Sequence, residues 1–436
     1  MKIAIIGAGY VGTTTAAAFA HHGHEVFVAD NNQEKIKAFQ RLKVPFYEDG
    51  LEEALKEFIQ KNLLSFTTDI KQIIQGCEVI FLAVGTPSLT TGEADLSYIK
   101  EAAKEIGRYM NDYKVIVIKS TVPVGTVNYV QEVIQDELKA RKSNIPFDTV
   151  SNPEFLREGK AMEDAIDPER IVIGSDSERA ETIMRTIYKE FRCPNIMCTS
   201  PKNAEMIKYA SNSFLAAKIS FMNELARLCD VLGVDVAEVS KGMGLDSRIG
   251  HQFLQAGIGY GGSCFPKDTK ALAQIALQRN LSLGIVEAVC AVNETQAQWF
   301  LEKAENALGS FSGKQITVLG LTFKPDTDDI REASSLKIID YLVKKKALIS
   351  VFDPKGMEHV KKLFPGISYK TDPLQALTNA DAAIIATEWK QFTELDWKSA
   401  KKVMAQPYIF DGRNSLDPEV MKNLGYVYMG VGRPPL

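Results

Sequence analysis

The sequence predicts an α/β protein with two parallel-sheet domains joined by a long central helix and a helical middle region. Three observations predict it. In the first 200 residues, short runs rich in Val and Ile alternate with amphipathic segments. From Pro201 a single 3.6-residue period then runs without a breaker to about Leu232. Near Gly313 the strand–helix alternation resumes. Repeated strand, helix, strand implies a parallel sheet covered on both faces.

In chain order, KIAIIG (2–7), EVFVAD (25–30), EVIFLAV (78–84), KVIVIKS (114–120), FDTVSNP (147–153) and RIVIG (170–174) read as buried strands. They are too short and too β-branched to be helices. Between them lie segments with helical spacing, such as EEALKEFIQ (52–60). Ala204, Ile207, Ser211, Leu215, Lys218, Met222, Leu225 and Cys229 then repeat at helical spacing until Gly233 supplies a stop. A helix of about 30 residues spans roughly 45 Å, more than a small domain needs, so it is expected to join domains and to offer an apolar face to a second copy. KQITVLG (314–320), ALISVFDP (347–354), DAAIIAT (381–387) and PYIFDG (407–412) are the strands of the second α/β half, with FSGK (311–314) as its expected boundary. The resulting division is 1–200, 201–300 and 301–436.

Composition bounds the partners. The 436 residues are 45% apolar and 24% charged, with 51 Lys plus Arg against 55 Asp plus Glu and a net charge of −4. That balance gives no general attraction to nucleic acid or to an anionic membrane, while leaving room for a local basic pocket. The apolar N-terminal run is broken by Gly7, Gly9 and Gly12, so it is not read as a signal peptide, and no uninterrupted apolar stretch reaches membrane-spanning length. The six cysteines show no CxxC pairing; no metal site is expected, and a reducing cytoplasm fits best.

Gly7-Ala8-Gly9-Tyr10-Val11-Gly12 is GxGxxG placed directly after a strand and directly before a helix-forming run. The first glycine permits the tight turn, the second lets a pyrophosphate approach the backbone, and the third lets helix and strand pack closely. The phosphates then meet free N–H groups at the helix start. Asp30, 18 residues after Gly12, closes the second strand, where a carboxylate receives a ribose diol and repels a 2′-phosphate. The first half is thus Rossmann-like, with NAD as its cofactor. Thr86 and Thr121, in VGTP (84–87) and STVP (120–123), end two more strands on the same carboxyl edge. The second half reads as a distant repeat without the full glycine motif.

GYGGSCFPKDTKALAQIALQ (259–278) carries the chemistry. Glycines at 259, 261 and 262 allow close backbone approach, and Pro266 marks a helix start, so Cys264 sits just before a helix N-terminus. There the dipole stabilises a thiolate, and Lys267 adds positive charge. Asp268 lies one turn beyond, able to orient a lysine or a water. A cysteine nucleophile in a dehydrogenase points to oxidation past the aldehyde, through a thiohemiacetal and a thioester. Lys208 and Asn212, at i and i+4 in EMIKYASN, share a helix face, and Lys there is unusual in what reads as an apolar stripe. Glu154 and Glu158 in SNPEFLREG have the same spacing.

STVPVGT (120–126), NPEFLREG (152–159), EMIKYASNSFLAAKISFMNE (205–224), GLDSRIG (244–250), GYGGSCFPKD (259–268) and GLTFKPDTDDIREA (320–333) resemble the UDP-glucose 6-dehydrogenase family over nearly the whole chain, in the expected order. The resemblance implies oxidation of the C6 alcohol of UDP-glucose to UDP-glucuronate with two NAD per turnover. It implies Cys264 as the nucleophile, and Lys208 and Asn212 at the oxygen on C6. Asp268 would hold Lys208 and the hydrolytic water, and Thr121 and Glu154 would place that water or move protons. Glu158 and Lys267 would lie on the nicotinamide side, Asp30 and Lys35 at the adenosine ribose, and Arg331 would reach the cofactor from the second half. For the nucleotide sugar it implies Glu154, Phe155, Leu156, Arg157 and Glu158, the loop Phe253, Leu254, Gln255, Ala256 and Gly257, and Gly261, Lys324, Arg413 and Arg248, the last from a neighbouring subunit. A homodimer or higher homo-oligomer is expected. The alternatives are a sibling acting on GDP-mannose or UDP-N-acetylmannosamine, a two-electron dehydrogenase of the 6-phosphogluconate type, and a regulatory module that only senses NAD. Cys264 argues against the last two.

Overall fold

The computed structural model describes residues 1–434, which form two compact units, residues 1–211 and 212 onward. The first unit holds β1 (Lys2–Ile6), β2 (Glu25–Ala29), β3 (Leu64–Thr67), β4 (Val79–Leu82), β5 (Lys114–Ile118), β6 (Phe147–Ser151), β7 (Ile171–Ser175) and β8 (Ile196–Thr199). The second holds β9 (Gln315–Leu319), β10 (Leu348–Phe352), β11 (Ser368–Tyr369), β12 (Ala382–Ile385), β13 (Tyr408–Asp411) and β14 (Val427–Gly430).

Both sheets follow one plan. The first runs β3-β2-β1-β4-β5-β6-β7-β8 and the second β11-β10-β9-β12-β13-β14, so six strands of each share the doubly wound order. The central strands β4 and β5 are buried along their whole length, which is why they read as continuous apolar runs. In the first unit Phe19, Phe39, Phe81 and Phe191 fill one face of the sheet and Ile74, Ile99, Ile106 and Ile134 the other. In the second unit Phe311, from FSGK, is fully buried in the core beside Ile316 and Ile338.

The two expected α/β halves and the long helix are present, with one correction. β7 lies antiparallel to β6, and β8 pairs parallel to β7, so the first sheet is mixed at that edge rather than parallel throughout. Residue pattern within a strand does not encode the direction of its neighbour. Two short strands of the first unit escape the sequence pattern as well. β3 alternates buried and exposed over four residues, and β8 is an edge strand with no fully buried position.

The long helix spans Pro201–Leu232, 32 residues and about 48 Å. The stripe expected to be its inner face is only partly so: Ala204, Met222 and Cys229 are buried, while Ile207, Ser211, Leu215, Lys218 and Leu225 are half-buried. Its buried positions are mixed: Ala204, Tyr209, Ala216, Met222 and Ala226 are fully buried, and Glu205, Lys208, Asn212, Ser220 and Asn223 are buried as well. Lys208 and Asn212 are therefore buried polar residues on a helix whose fully buried positions are mostly apolar. Glu205 serves as a cap. Its carboxylate accepts the N–H groups of Gly125 at 2.6 Å and Val127 at 2.9 Å, at the start of the helix Thr126–Ala140 that follows β5.

Candidate active site

The glycine turn after β1 has the shape its sequence requires. Gly7 has φ +109°, and a Cβ there would stand 2.6 Å from the carbonyl oxygen of Ala83; one at Gly12 would stand 1.9 Å from that of Gly7. Gly9, which caps the helix Tyr10–His21, has nothing within 4 Å of a Cβ position. Two glycines are thus needed for packing and the middle one leaves the helix start open to an anion. Asp30 joins this turn: its Oδ2 accepts the Ala8 N–H at 2.9 Å and the Lys35 ammonium at 2.9 Å, and its Oδ1 accepts the Asn32 N–H at 2.9 Å. Burial works against its charge, but Lys35 and the two amides outweigh it and hold the carboxyl below the usual range. These residues fit a dinucleotide pyrophosphate and ribose.

Asp353, which follows β10 as Asp30 follows β2, shows the contrast. It is buried and accepts from Leu321 N–H, Lys355 N–H, Gly356 N–H and the Trp389 indole. A carboxylate so occupied has no lone pair left for a ribose, so only the first half keeps this feature.

We expect Asp30→Asn to lower the preference for NAD over NADP about tenfold or more, because Lys35 would lose its carboxylate and could receive a 2′-phosphate. Cofactor Kd values measured side by side check this, and an unchanged ratio removes the ribose role of Asp30.

The strand ends beyond β4 and β5 are tied together: Thr86 donates to the Thr121 carbonyl at 2.9 Å, and Ser120 to the Val84 carbonyl at 2.6 Å. Tyr10 does more than open the first helix. Its hydroxyl donates to Glu48 and accepts the Gly159 N–H at 3.1 Å, and Glu48 also accepts from Gly159 N–H and Ala161 N–H. Burial and Glu48 push the Tyr10 hydroxyl far above its ordinary range. Val11 is half-buried on the same turn of helix.

Segment 152–157 is irregular, so the i, i+4 spacing of Glu154 and Glu158 does not place them on a helix face. Glu154 is 6% exposed, Glu158 half-buried. Glu154 Oε1 accepts the Lys208 ammonium at 2.9 Å, and its Oε2 accepts the Leu156 N–H at 2.6 Å. Burial opposes the charge on Glu154; Lys208, the Leu156 amide and Lys119 prevail and keep it ionised below the usual carboxylate range. Arg170 stands 4.1 Å from the centroid of the Phe155 ring and Lys208 5.3 Å from it. Arg157 is held by Asp164 at 2.5 Å.

In the second unit Cys264, half-buried, caps the helix Phe265–Leu277, with Pro266 in its first turn, one residue further in than a helix opening on proline would have it. Asp268, fully buried, accepts Asn212 Nδ2 at 2.6 Å and Lys267 Nζ at 2.5 Å, and its N–H bonds the Cys264 carbonyl at 2.8 Å. The glycine run is pinned from two sides. Asn293 bonds Tyr260 through both backbone groups, at 2.8 and 3.0 Å, and a Cβ at Gly261 would stand 2.3 Å from the Glu332 carbonyl.

The remaining expected binding residues fall into groups. In the loop 253–257, Leu254 and Ala256 enter the core, Phe253 and Gln255 do not, and Gly257 is held by Asn223 and Gln296 at 2.8 Å each. Lys324 stands over the Phe323 ring at 5.5 Å. Arg413 donates to the carbonyls of Ala386 and Gly259 at 2.9 Å and of Phe323 at 3.3 Å. Arg331 and Arg248 pair locally with Asp329 and Asp246, and Arg248 is well exposed. Missed in the sequence were Glu48, Lys119, Asn152 and Asn293. Only Lys119 gave a signal, a charge ending the apolar strand KVIVIK. Among the described residues no cluster suits a metal ion and no helix is long and apolar enough to cross a membrane.

Comparison with known proteins agrees with this geometry. The UDP-glucose/GDP-mannose dehydrogenase family matches in three parts: its NAD binding domain over residues 1–192, its central domain over 202–295 and its UDP binding domain over 317–418. The UDP-glucose 6-dehydrogenase TuaD of Bacillus subtilis (strain 168) is 45% identical over 434 residues, 99% of this chain and 93% of that protein. A UDP-glucose dehydrogenase from the hyperthermophilic archaeon Pyrobaculum islandicum superposes with TM-score 0.92 at 38% identity, covering 99% of this chain and 98% of that one. A UDP-D-ManNAc dehydrogenase from Pyrococcus horikoshii gives TM-score 0.87 at 28% identity, covering 99% of both chains. The Gly7–Gly12 turn, the Asp30 carboxylate and these matches along the whole length lead to one conclusion: the chain is an NAD-dependent oxidoreductase and belongs to the UDP-glucose/GDP-mannose dehydrogenase family.

Proposed function

We propose that this chain oxidises UDP-glucose to UDP-glucuronate in two steps that share one enzyme-bound intermediate. The observation that carries the reading is Cys264 capping a helix N-terminus, with buried Asp268 one turn in, held by Asn212 and Lys267. Two NAD molecules per sugar serve as hydride acceptors. Lys208, paired with Glu154, takes the proton of the C6 alcohol as the aldehyde forms. The Cys264 thiolate adds to that aldehyde, forming a C–S bond, and Asn212 donates to the new oxygen. Loss of a second hydride and of the hydroxyl proton leaves a thioester. Water, placed by Glu154, Thr121 and Asp268, then cleaves the C–S bond and returns the thiol.

The UDP-glucose assignment, over GDP-mannose or UDP-N-acetylmannosamine, is supported by the higher identity to the UDP-glucose relatives. The other roles expected from the resemblance, and the three-part division 1–200, 201–300 and 301–436, belong to the same reading. So does a homodimer through the long helix, supported by the exposed Phe214, Phe221 and Leu228 on its outer face; a monomer mass in solution would rule it out. A reducing compartment such as the cytoplasm suits a catalytic thiol.

The experiment is incubation with a panel of nucleotide sugars, counting NADH per sugar consumed. We expect two NADH per UDP-glucose and little turnover of GDP-mannose or UDP-N-acetylmannosamine. One NADH per sugar would replace the reading with a two-electron dehydrogenase. NAD binding without turnover would favour the sensing module.

A further inference from the structure

Glu48 belongs to none of the sequence motifs, yet it is only 6% exposed. Its carboxylate joins two segments that lie far apart in the chain. Oε2 accepts the Tyr10 hydroxyl, 38 residues away, and the Gly159 N–H at 2.7 Å, 111 residues away. Oε1 accepts the Ala161 N–H at 2.6 Å and the Met162 N–H at 3.4 Å. The Tyr10 hydroxyl also accepts the Gly159 N–H at 3.1 Å, so acid, phenol and amide close a triangle. Tyr10 opens the first helix inside the glycine motif. The Gly159 N–H is part of the peptide bond that leaves Glu158, so holding it fixes the plane of that peptide.

The two segments differ in what else holds them. The glycine turn stands on local bonds: Gly7 N–H donates to the Ala29 carbonyl at 2.7 Å, Thr13 N–H to the Gly9 carbonyl at 2.9 Å, and Ala8 N–H to Asp30 at 2.9 Å. Residues 152–160 have no regular secondary structure. We infer that Glu48 is a positioning residue for hydride transfer: through Tyr10 and the Gly159–Met162 amides it sets the loop carrying Glu154 and Glu158 at a fixed distance from the dinucleotide turn. The inference rests on the binding roles given above to Glu154, Glu158 and that turn. A displacement of about 1 Å between reacting groups can cost about 10²-fold in rate, so a tie that touches neither substrate nor cofactor still governs kcat. It does not govern NAD affinity, because the turn keeps its own bonds without it.

Tyr10→Phe removes the bridge between the segments and leaves Gly159, Ala161 and Met162 on Glu48. Glu48→Gln keeps the volume but offers one acceptor oxygen in place of two. In the enzyme without ligands, hydrogen exchange in the peptide covering 156–162 should run about tenfold faster in Glu48→Gln and about threefold faster in Tyr10→Phe, with wild-type rates elsewhere. Turnover of UDP-glucose per NAD-binding site, the sites being counted by titration, should fall by the same factors of about ten and three, with the NAD Kd within twofold of wild type. Both changes act on one tie, so the double variant should be no slower than Glu48→Gln alone. Tyr10→Phe leaves every one of these buried amides paired and is expected to fold even if Glu48→Gln does not. A purely structural role would lower the number of NAD-binding sites and leave turnover per site unchanged. That result, unchanged exchange across 156–162, or an NAD Kd that rises as far as kcat falls overturns the inference. A wild type that makes no NADH from any nucleotide sugar would sink the proposed function and this inference with it, whereas wild-type turnover with silent variants removes the tie alone.

Discussion

Replacing Cys264 with serine is expected to lower net oxidation of UDP-glucose by roughly 10³-fold or more while leaving NAD binding within about twofold of wild type. The serine hydroxyl stays protonated at neutral pH, where a thiol at a helix N-terminus gains thiolate character. It therefore cannot hold the half-oxidised sugar. The cost in fold is small. Cys264 is only half-buried, its Sγ lies 3.5 Å from Ser263 Oγ, and exchanging sulfur for oxygen leaves no large void. A change in stability under about 1 kcal/mol follows. Initial rates of NADH formation and an NAD titration of the same sample check the two halves of this expectation. Full activity in Cys264→Ser would remove the covalent intermediate.

Lys208→Ala carries the other large effect, and two consequences must be separated. Loss of a general base or of a cation beside the reacting oxygen lowers kcat by roughly 10²–10⁴-fold. Removing one member of a buried ion pair also leaves Glu154 uncompensated, at about 3–5 kcal/mol. Lys208 is 3% exposed and Glu154 6%, so solvent screening offers little relief. In wild type the Glu154 carboxyl sits below its usual range, so the stability it contributes is present above the unfolded value and is lost as pH falls through the folded one. In Lys208→Ala burial raises that carboxyl instead, and the variant should lose stability as pH rises. Adding Glu154→Gln should restore the unfolding midpoint without restoring kcat. If the double variant regained activity, Lys208 would be structural; if Lys208→Ala altered only NAD affinity, the residue belongs to the cofactor.

What can be read in the chain follows the range of the forces involved. The glycine turn is local: Gly7 and Gly12 exclude a Cβ because of atoms within a few residues or on the adjacent strand, and the pattern survives in one dimension. Asp30 is legible because it closes a strand at a fixed distance from that turn. Cys264 and Asp268 are legible because a proline and a glycine run mark a helix start. Lys208 stands out for the right reason, an ammonium where water is excluded, but the register of the buried face differs from the one the periodicity suggests. The stripe counted on the long helix is only partly its buried face, which carries Ala204, Tyr209, Ala216, Met222 and Ala226 together with Glu205, Lys208, Asn212, Ser220 and Asn223.

That difference shows where the sequence stops. On its own it determined the α/β class, the doubly wound first half, the span of the long helix, the NAD fingerprint and the residue types able to run the chemistry, since each rests on periodicity or short-range spacing. Only the tertiary structure decided that β7 runs against β6, that Glu48 gathers Tyr10 and the Gly159 loop, and that Lys208 finds Glu154 across a separation of 54 residues. A buried charge is tolerable solely where its partner is, and partners are chosen by the folded chain in three dimensions.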